Sequence, residues 1–520
     1  MTASTVDTLQ QPAPVGQMLL NAIERHREAV AVVDGDRTFT YRQMGQDVAH
    51  TIAAFRELGA GPGDRIVQIS RNRYEMIVVL AASYIGGFVS VPLLHGGEIE
   101  EQAFAVGDSR PALLVLEEGL QSRQVALARA SGGPYAVLSH EALARRFAAG
   151  EAPPLGTLAA DTDGHACARM VYTGGTTGRP KGVMNSASAL AFSALLLAFA
   201  HDLTADTAFL LCAPISHGAG SFIVPVLAKG GRLIVHRRFD VDAVTRAFRQ
   251  GEANSALLVP TMLYALLDHP GSRDIPRGAI RRIIYGAAPA SPTRLREALD
   301  RFGYVLAQSY GQTEVPSAIC YLSPEDHRDE RRLSSAGKPY PGVDVRLMSD
   351  GRLLPRRSRE VGEVCVRAPH VMTGYWDKPE LTAEAMQGGW LHTGDLAFED
   401  EDGYLHIVDR LKDMIISGGF NVYPSEVEAA LQTHPCVEFS ALIGVPHGRW
   451  GEAAHAFVVL RKGSTTTEAE LQNHVRERLG PLKTPKSIAF IPSLPLTKVG
   501  KVDKKRLREP FWAGTARNVN

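Results

Sequence analysis

The sequence predicts an α/β protein: a large N-terminal domain of α/β subdomains plus a small β-rich subdomain, then a small α+β C-terminal domain. Three observations predict it. Helical patterns alternate with short β-branched runs from about residue 15 to about residue 370, which implies parallel sheets covered by helices. Residues 337–366 change style, becoming rich in strands and turns around Asp350-Gly351, as expected of a smaller antiparallel unit. After Asp409, about a hundred residues carry an apolar pattern of their own. The boundary is therefore set as 1–409 and 410–520.

Within the first part, strand-like runs lie at 65–69, 112–116, 233–235 and 282–285. Helix-length segments between them include 241–251 and 293–302. Residues 76–94 carry no charge and are nearly long enough to span a membrane. Gly86-Gly87 splits them and Pro92 sits near the end. A buried helix through Ile85, then a buried strand at 88–91, is expected instead. The apolar run 189–200 is too short to span and is expected to be a core helix. In the tail, strands are expected at 456–460 and 487–491, and helices at 425–431 and 467–479.

The chain has 520 residues, with 56 Lys+Arg against 56 Asp+Glu. Zero net charge excludes a chain-wide basic field, so no nucleic-acid partner is expected. The five cysteines (167, 212, 320, 365 and 436) form no CxxC. They read as buried or free thiols in a reducing, cytoplasmic setting. The N-terminus shows no basic region before an apolar one, and reads as floppy and unprocessed.

The most informative segment is 171–183, where three glycines, three threonines and one lysine fall between Thr173 and Lys181. Glycine lets backbone N–H groups approach an anion, threonine adds hydroxyl donors and lysine adds a point charge. The spacing fits neither GxxxxGK[ST] nor GxGxxG. A phosphate loop and an ordinary Gly/Thr turn are the two readings.

The segment resembles the YTSGTTGxPKG loop of the adenylate-forming (ANL) superfamily, which includes acyl-CoA and aryl-CoA ligases and stand-alone amide bond synthetases. Tyr172 to Gly182 matches it, except that Gly175 replaces the usual serine. Further signatures follow in order. Tyr310-Gly311-Gln312-Thr313-Glu314 resembles YGxTE, and Trp390 to Asp395 resembles WxxTGD. Asp409 to Gly419 resembles the hinge motif, and Pro495 to Lys501 resembles PxTxxGK. The resemblance covers roughly residues 15–510.

The resemblance implies ATP and Mg²⁺ as cofactors and a small carboxylic acid as substrate. It implies a domain hinged at 410–412. Thr173, Gly174, Gly175, Thr176, Thr177, Gly178 and Lys181 would hold phosphates. Gly286, Ala287, Ala288 and Pro289 would line the adenine slot, with Gln308, Ser309, Tyr310 and Gly311 beside them. Tyr310 would stack on adenine, and Asp395 and Arg410 would take the ribose. Glu314 would be the Mg²⁺ ligand and Thr313 the α-phosphate contact. Lys501 would drive adenylation; its alternative is a basic tail that binds nucleic acid or is simply solvated. Lys412 would be the hinge residue, and Gly418 and Gly419 would pass a pantetheine arm.

His217 is either a gate beside the acyl pocket or a satisfied core histidine. The acyl pocket is expected between 216–222, 259–263, 285–288 and 308–309. The segment 213–220 holds no Asp for a substrate ammonium, which argues against an amino-acid substrate. No fused carrier-protein domain is expected. The acceptor would be CoA, giving a thioester; an amine, giving an amide, is the alternative. A non-catalytic nucleotide-binding relative is the third reading. Ser335 and Lys338 also fit SxxK, but nothing else of that serine-enzyme set is present.

Overall fold

Short runs such as Leu113–Leu116 and Ala208–Leu211 are apolar at every position, so both of their faces must be covered. The computed structural model meets this need with helices packed against two large sheets. It describes residues 13–131, 135–148, 152–160, 163–173, 180–417, 420–448, 450–497 and 502–512.

The first sheet has nine strands. Its parallel centre runs Leu306–Tyr310, Arg282–Gly286, Ser255–Leu258, Ala208–Leu211, Arg232–Val235, Val30–Asp34. The second has seven, with Val89–Leu94, Arg65–Ser70, Leu113–Leu116 and Ala136–Ser139 parallel. The hairpin Cys167–Thr173/Lys181–Ser186 extends its other side, with Gly374–Tyr375 at the edge, so Thr173 and Lys181 face each other across a loop.

The expected helices and strands are present, with ends shifted by a few residues. The run at 76–94 divides into the helix Tyr74–Ile85, buried at every position, and the strand Val89–Leu94. That strand runs further than the expected 88–91 and contains Pro92. Proline is tolerated because the pairing with Cys167–Thr173 is recorded only at Ser90↔Arg169. Pro92 therefore owes no hydrogen bond on that side. Glu75 is fully buried in this helix, and its charge is held by Arg37 and Arg73, each at 2.7 Å.

The antiparallel unit is a five-stranded sheet of Arg352–Leu353, Asp344–Ser349, Gly362–Arg367, Leu391–Glu399 and Leu405–Arg410. It starts later than 337: Lys338–Pro339 pairs instead with Cys320–Leu322 at the edge of the nine-stranded sheet. The last sheet joins Phe420–Val422, Ile415–Ser417, Gly451–Leu460, Val437–His447 and Ser487–Phe490. The helices Pro424–Gln432 and Glu468–Leu479 cover it with a separate apolar core. Among the described residues no helix is long and apolar enough to cross a membrane.

Candidate active site

Arg282–Gly286 and Leu306–Tyr310 are parallel neighbours, with Gly286 opposite Ser309. Their carboxyl ends therefore open side by side, where ligands of open α/β sheets bind. The approach is close. A Cβ on Gly286 would lie 2.3 Å from the Ser309 carbonyl oxygen, so only glycine fits. Ala287 follows at φ +65°, a left-handed conformation that costs a non-glycine residue about 1 kcal/mol. Gly311 is equally constrained, since its Cβ would meet Ser317 Cα at 2.6 Å.

Asp395 is the focus of the first cluster. It is 5% exposed. The Tyr310 hydroxyl and Gln312 Nε2 each donate to its Oδ2 at 2.7 Å. Gln312 sends its other proton to the Thr393 carbonyl at 3.0 Å. Arg410, paired with Asp395 across the strands, brings Nε to 3.4 Å from Oδ1. Behind the turn, Glu363 Oε1 accepts from Gly394 N–H at 2.9 Å, and its Oε2 meets His392 Nδ1 at 2.7 Å. Burial and the Asp395 charge push the Tyr310 phenol well up, so it stays a donor.

Glu314 is the focus of the second cluster. Tyr375 donates its hydroxyl to Glu314 Oε1 at 3.0 Å. Burial, then the Glu314 charge, pushes the Tyr375 phenol up. The Lys181 ammonium lies 4.8 Å from the centre of the Tyr375 ring. The loop's lysine, the ring and the carboxylate thus form one group, drawn from segments far apart in sequence. The Thr313 carbonyl accepts from Asn185 Nδ2 at 3.2 Å, which ties this turn to the strand Lys181–Ser186.

His217 caps a short 3₁₀ turn, Gly218–Phe222, and its Nδ1 lies 2.9 Å from Ser216 Oγ. Lys412 is exposed and lies two residues after Arg410; desolvation, then the Arg410 charge, pushes its ammonium down. Gly174, Gly175, Thr176, Thr177, Gly178, Gly418, Gly419 and Lys501 lie outside the described residues. Sequence reasoning missed Tyr375, Glu363 and Asn185, and treated Gln312 as the variable position of its motif. None of the four carries a local signal. Ser335 is a structural residue: its hydroxyl donates to the Leu405 carbonyl and accepts from Gly337 N–H.

The AMP-binding enzyme family matches residues 19–376, and the AMP-binding enzyme C-terminal domain matches 426–501. The chain belongs to the AMP-binding, adenylate-forming (ANL) family. Members similar to it include the medium/long-chain-fatty-acid–CoA ligase FadD8 of Mycobacterium tuberculosis, 38% identical over 99% of this chain and 93% of that protein. Feruloyl-CoA synthase of an Amycolatopsis species is 38% identical over 93% of this chain and 96% of its own length. Among solved structures, the amide bond synthetase McbA of Marinactinospora thermotolerans superposes with a TM-score of 0.89. It is 34% identical and covers 96% of this chain and 100% of its own. ATP-bound MatB of Rhodopseudomonas palustris gives 0.88 at 29% identity, covering 96% of this chain and 99% of its own.

This family member is an AMP-forming ligase that activates an acid as its adenylate, with ATP and Mg²⁺. The donor chemistry fits a hard cation at Glu314. Tyr375 occupies one carboxylate oxygen, no side chain among the described residues bonds the other, and Mg²⁺ uses few protein ligands. Asp395, held as an acceptor by three donors, fits the hydroxyls of a ribose.

Proposed function

We propose that the chain joins a small-molecule carboxylic acid to CoA through an acyl-adenylate. The observation that carries this is the convergence of the Asp395 and Glu314 clusters on the turn 310–314. One end of that turn holds the nucleoside side of ATP and the other the phosphate side. In the first half-reaction the substrate carboxylate attacks the α-phosphorus and the bond to the β-phosphate oxygen breaks, releasing pyrophosphate. Two anions meet, so cationic help is required. Mg²⁺ at Glu314 would supply charge neutralisation, and Thr313 would contact the α-phosphate. Lys181 would steady the departing phosphates together with Thr173 and the loop 174–178. Lys501, assigned by its PxTxxGK motif, would bridge the carboxylate and the adenylate oxygens.

In the second half-reaction a thiolate attacks the acyl carbon, the bond to the AMP oxygen breaks, and AMP leaves. We assign residues 410–520 to a mobile C-terminal domain hinged at 410–412. Its rotation would exchange Lys501 for the face bearing Gly418 and Gly419. Such a rotation would have to break the hydrogen bonds that cross the junction. Asp409 accepts from Arg410 N–H at 2.7 Å and from Ser425 N–H at 2.8 Å, and Leu411 N–H donates to the Gly394 carbonyl.

An amine as acceptor is the second reading, supported by the likeness to an amide bond synthetase. CoA is preferred because the curated relatives named above form CoA thioesters by their names. The test is one incubation with ATP, Mg²⁺, a panel of acids, CoA and a panel of amines, read by mass spectrometry. Acyl-CoA as the main product supports the proposal. Amide formation in its place transfers the assignment to the amine. No pyrophosphate from any acid would sink both.

A further inference from the structure

Three serines are partly exposed, two of them between buried neighbours. Ser221 precedes buried Phe222, Ser317 sits between buried Pro316 and Ala318, and Ser309 follows buried Ala307 by two residues. They come from the three segments around the His217 turn and the 310–314 turn, and their hydroxyls join into one network. Ser317 Oγ donates to Ser221 Oγ at 3.0 Å. Ser309 Oγ donates to the Ser317 carbonyl at 2.5 Å. The Tyr340 hydroxyl lies 2.8 Å from Ser309 Oγ and 3.3 Å from His201 Nε2.

Proton counting gives this network a direction. A hydroxyl has one proton to donate. The Ser309 proton goes to the Ser317 carbonyl, so Tyr340 must donate to Ser309. His201 must then donate Nε2–H to the Tyr340 oxygen. Burial holds the His201 ring neutral, with its pKa pulled down to about 3, so Nδ1 is bare. Nδ1 is indeed buried with no partner among the described residues. At the other end the Ser317 proton is spent on Ser221. Among the described residues nothing accepts the Ser221 proton. The network therefore ends in one free donor and spare lone pairs.

Ser317 also has φ +58°, where glycine would sit without strain. The network holds no charged side chain, so it suits a neutral partner that both donates and accepts. A hydroxyl group is such a partner.

We propose that Ser221 and Ser317 form a hydrogen-bonding station in the acyl pocket, selecting carboxylic acids that carry a hydroxyl group away from the carboxylate. Tyr340, with His201 behind it, is a positioning residue that fixes Ser309 and hence Ser317. The proposal rests on the reading of 216–222 and 308–309 as acyl-pocket segments.

The test uses the full chain and two matched pairs: cinnamate with 4-hydroxycinnamate, and octanoate with 8-hydroxyoctanoate. Pyrophosphate release gives kcat/KM, and calorimetry of the same acids gives Kd. In at least one pair the hydroxylated acid is expected to be favoured about tenfold, the worth of one neutral hydrogen bond. Ser221→Ala and Ser317→Ala bring that ratio to near one, and Tyr340→Phe lowers it part-way. Ser317→Gly separates selectivity from folding: it relieves the strain, so the thermal midpoint holds or rises while the ratio still falls. A hydroxyl preference in Kd without any pyrophosphate release would overturn the adenylation reading and leave the station standing. Equal Kd and kcat/KM within both pairs, or ratios that survive both alanine variants, would overturn the station.

Discussion

The Tyr310 hydroxyl donates to Asp395 Oδ2 at 2.7 Å, across 85 residues of sequence. One bond ties the end of a parallel strand in the nine-stranded sheet to the antiparallel sheet that precedes the C-terminal domain. Asp395→Asn is expected to raise the KM for ATP by roughly 10- to 100-fold, the range of a hydrogen bond to a charged acceptor. Tyr310→Phe removes one of the donors around that carboxylate and should raise KM only several-fold. Steady-state pyrophosphate release at varied ATP separates the two. An unchanged KM in Asp395→Asn would remove this residue from the nucleotide site.

Glu314 shares Oε1 with the Tyr375 hydroxyl at 3.0 Å. Glu314→Gln keeps the shape but loses the charge that attracts a divalent cation. The variant should need a higher Mg²⁺ concentration for half-maximal rate, and should lose about 10²- to 10³-fold in kcat. Tyr375→Phe should shift the Mg²⁺ midpoint far less, because it leaves the carboxylate group in place. A Mg²⁺ titration of both variants decides it, and identical midpoints would count against Glu314 as the ligand.

Lys501→Ala should abolish adenylate formation while sparing transfer from a supplied acyl-adenylate to the acceptor. The reason is that only the first half-reaction brings two anions together. Rapid-quench measurement of each half-reaction checks this. Equal loss of both would remove the assignment of Lys501 to adenylation.

Acid should destabilise the fold through its buried histidines. His140 and His201 are almost wholly buried, and desolvation pulls both pKa values from 6.5 down to about 3. The unfolded chain binds these protons first. The contribution of the two rings is therefore complete above pH 6.5 and is lost progressively as pH falls towards 3. Each costs about 1.4 kcal/mol per pH unit within that window. Asp47 acts in the opposite sense, since burial raises its pKa to about 6. Its contribution is present below 3.8 and is lost as pH rises through 6. The net expectation is a falling denaturation midpoint between pH 6.5 and 4.5. His140→Leu should flatten that slope. A flat profile in the wild type would contradict it.

Local patterns exposed the elements well. The helix Glu468–Leu479 follows from its apolar spacing, and a Thr467/Glu470 capping box fixes its start. Edges were harder. Lys338–Pro339 reads like the start of the antiparallel unit, yet the neighbour it finds is Cys320–Leu322. Pro92 looks like a strand end, yet the strand passes through it because that side carries little pairing. Which strand sits beside which is not written in either stretch of sequence.

The sequence by itself determined the fold class, the family and the residues with distinctive chemistry in ordered motifs: Thr313, Glu314, Asp395 and Arg410. These are local properties, set by residue type and spacing along one segment. Only the tertiary structure decided that Tyr375 holds Glu314, that Gln312 joins Tyr310 on Asp395, and that Glu363 braces the turn before it. The same holds for the hydroxyl network from His201 to Ser221. The physical reason is that a hydrogen bond depends on distance and direction in space. Residues as far as 139 positions apart acquire those only when the sheets are stacked and the strands are in register.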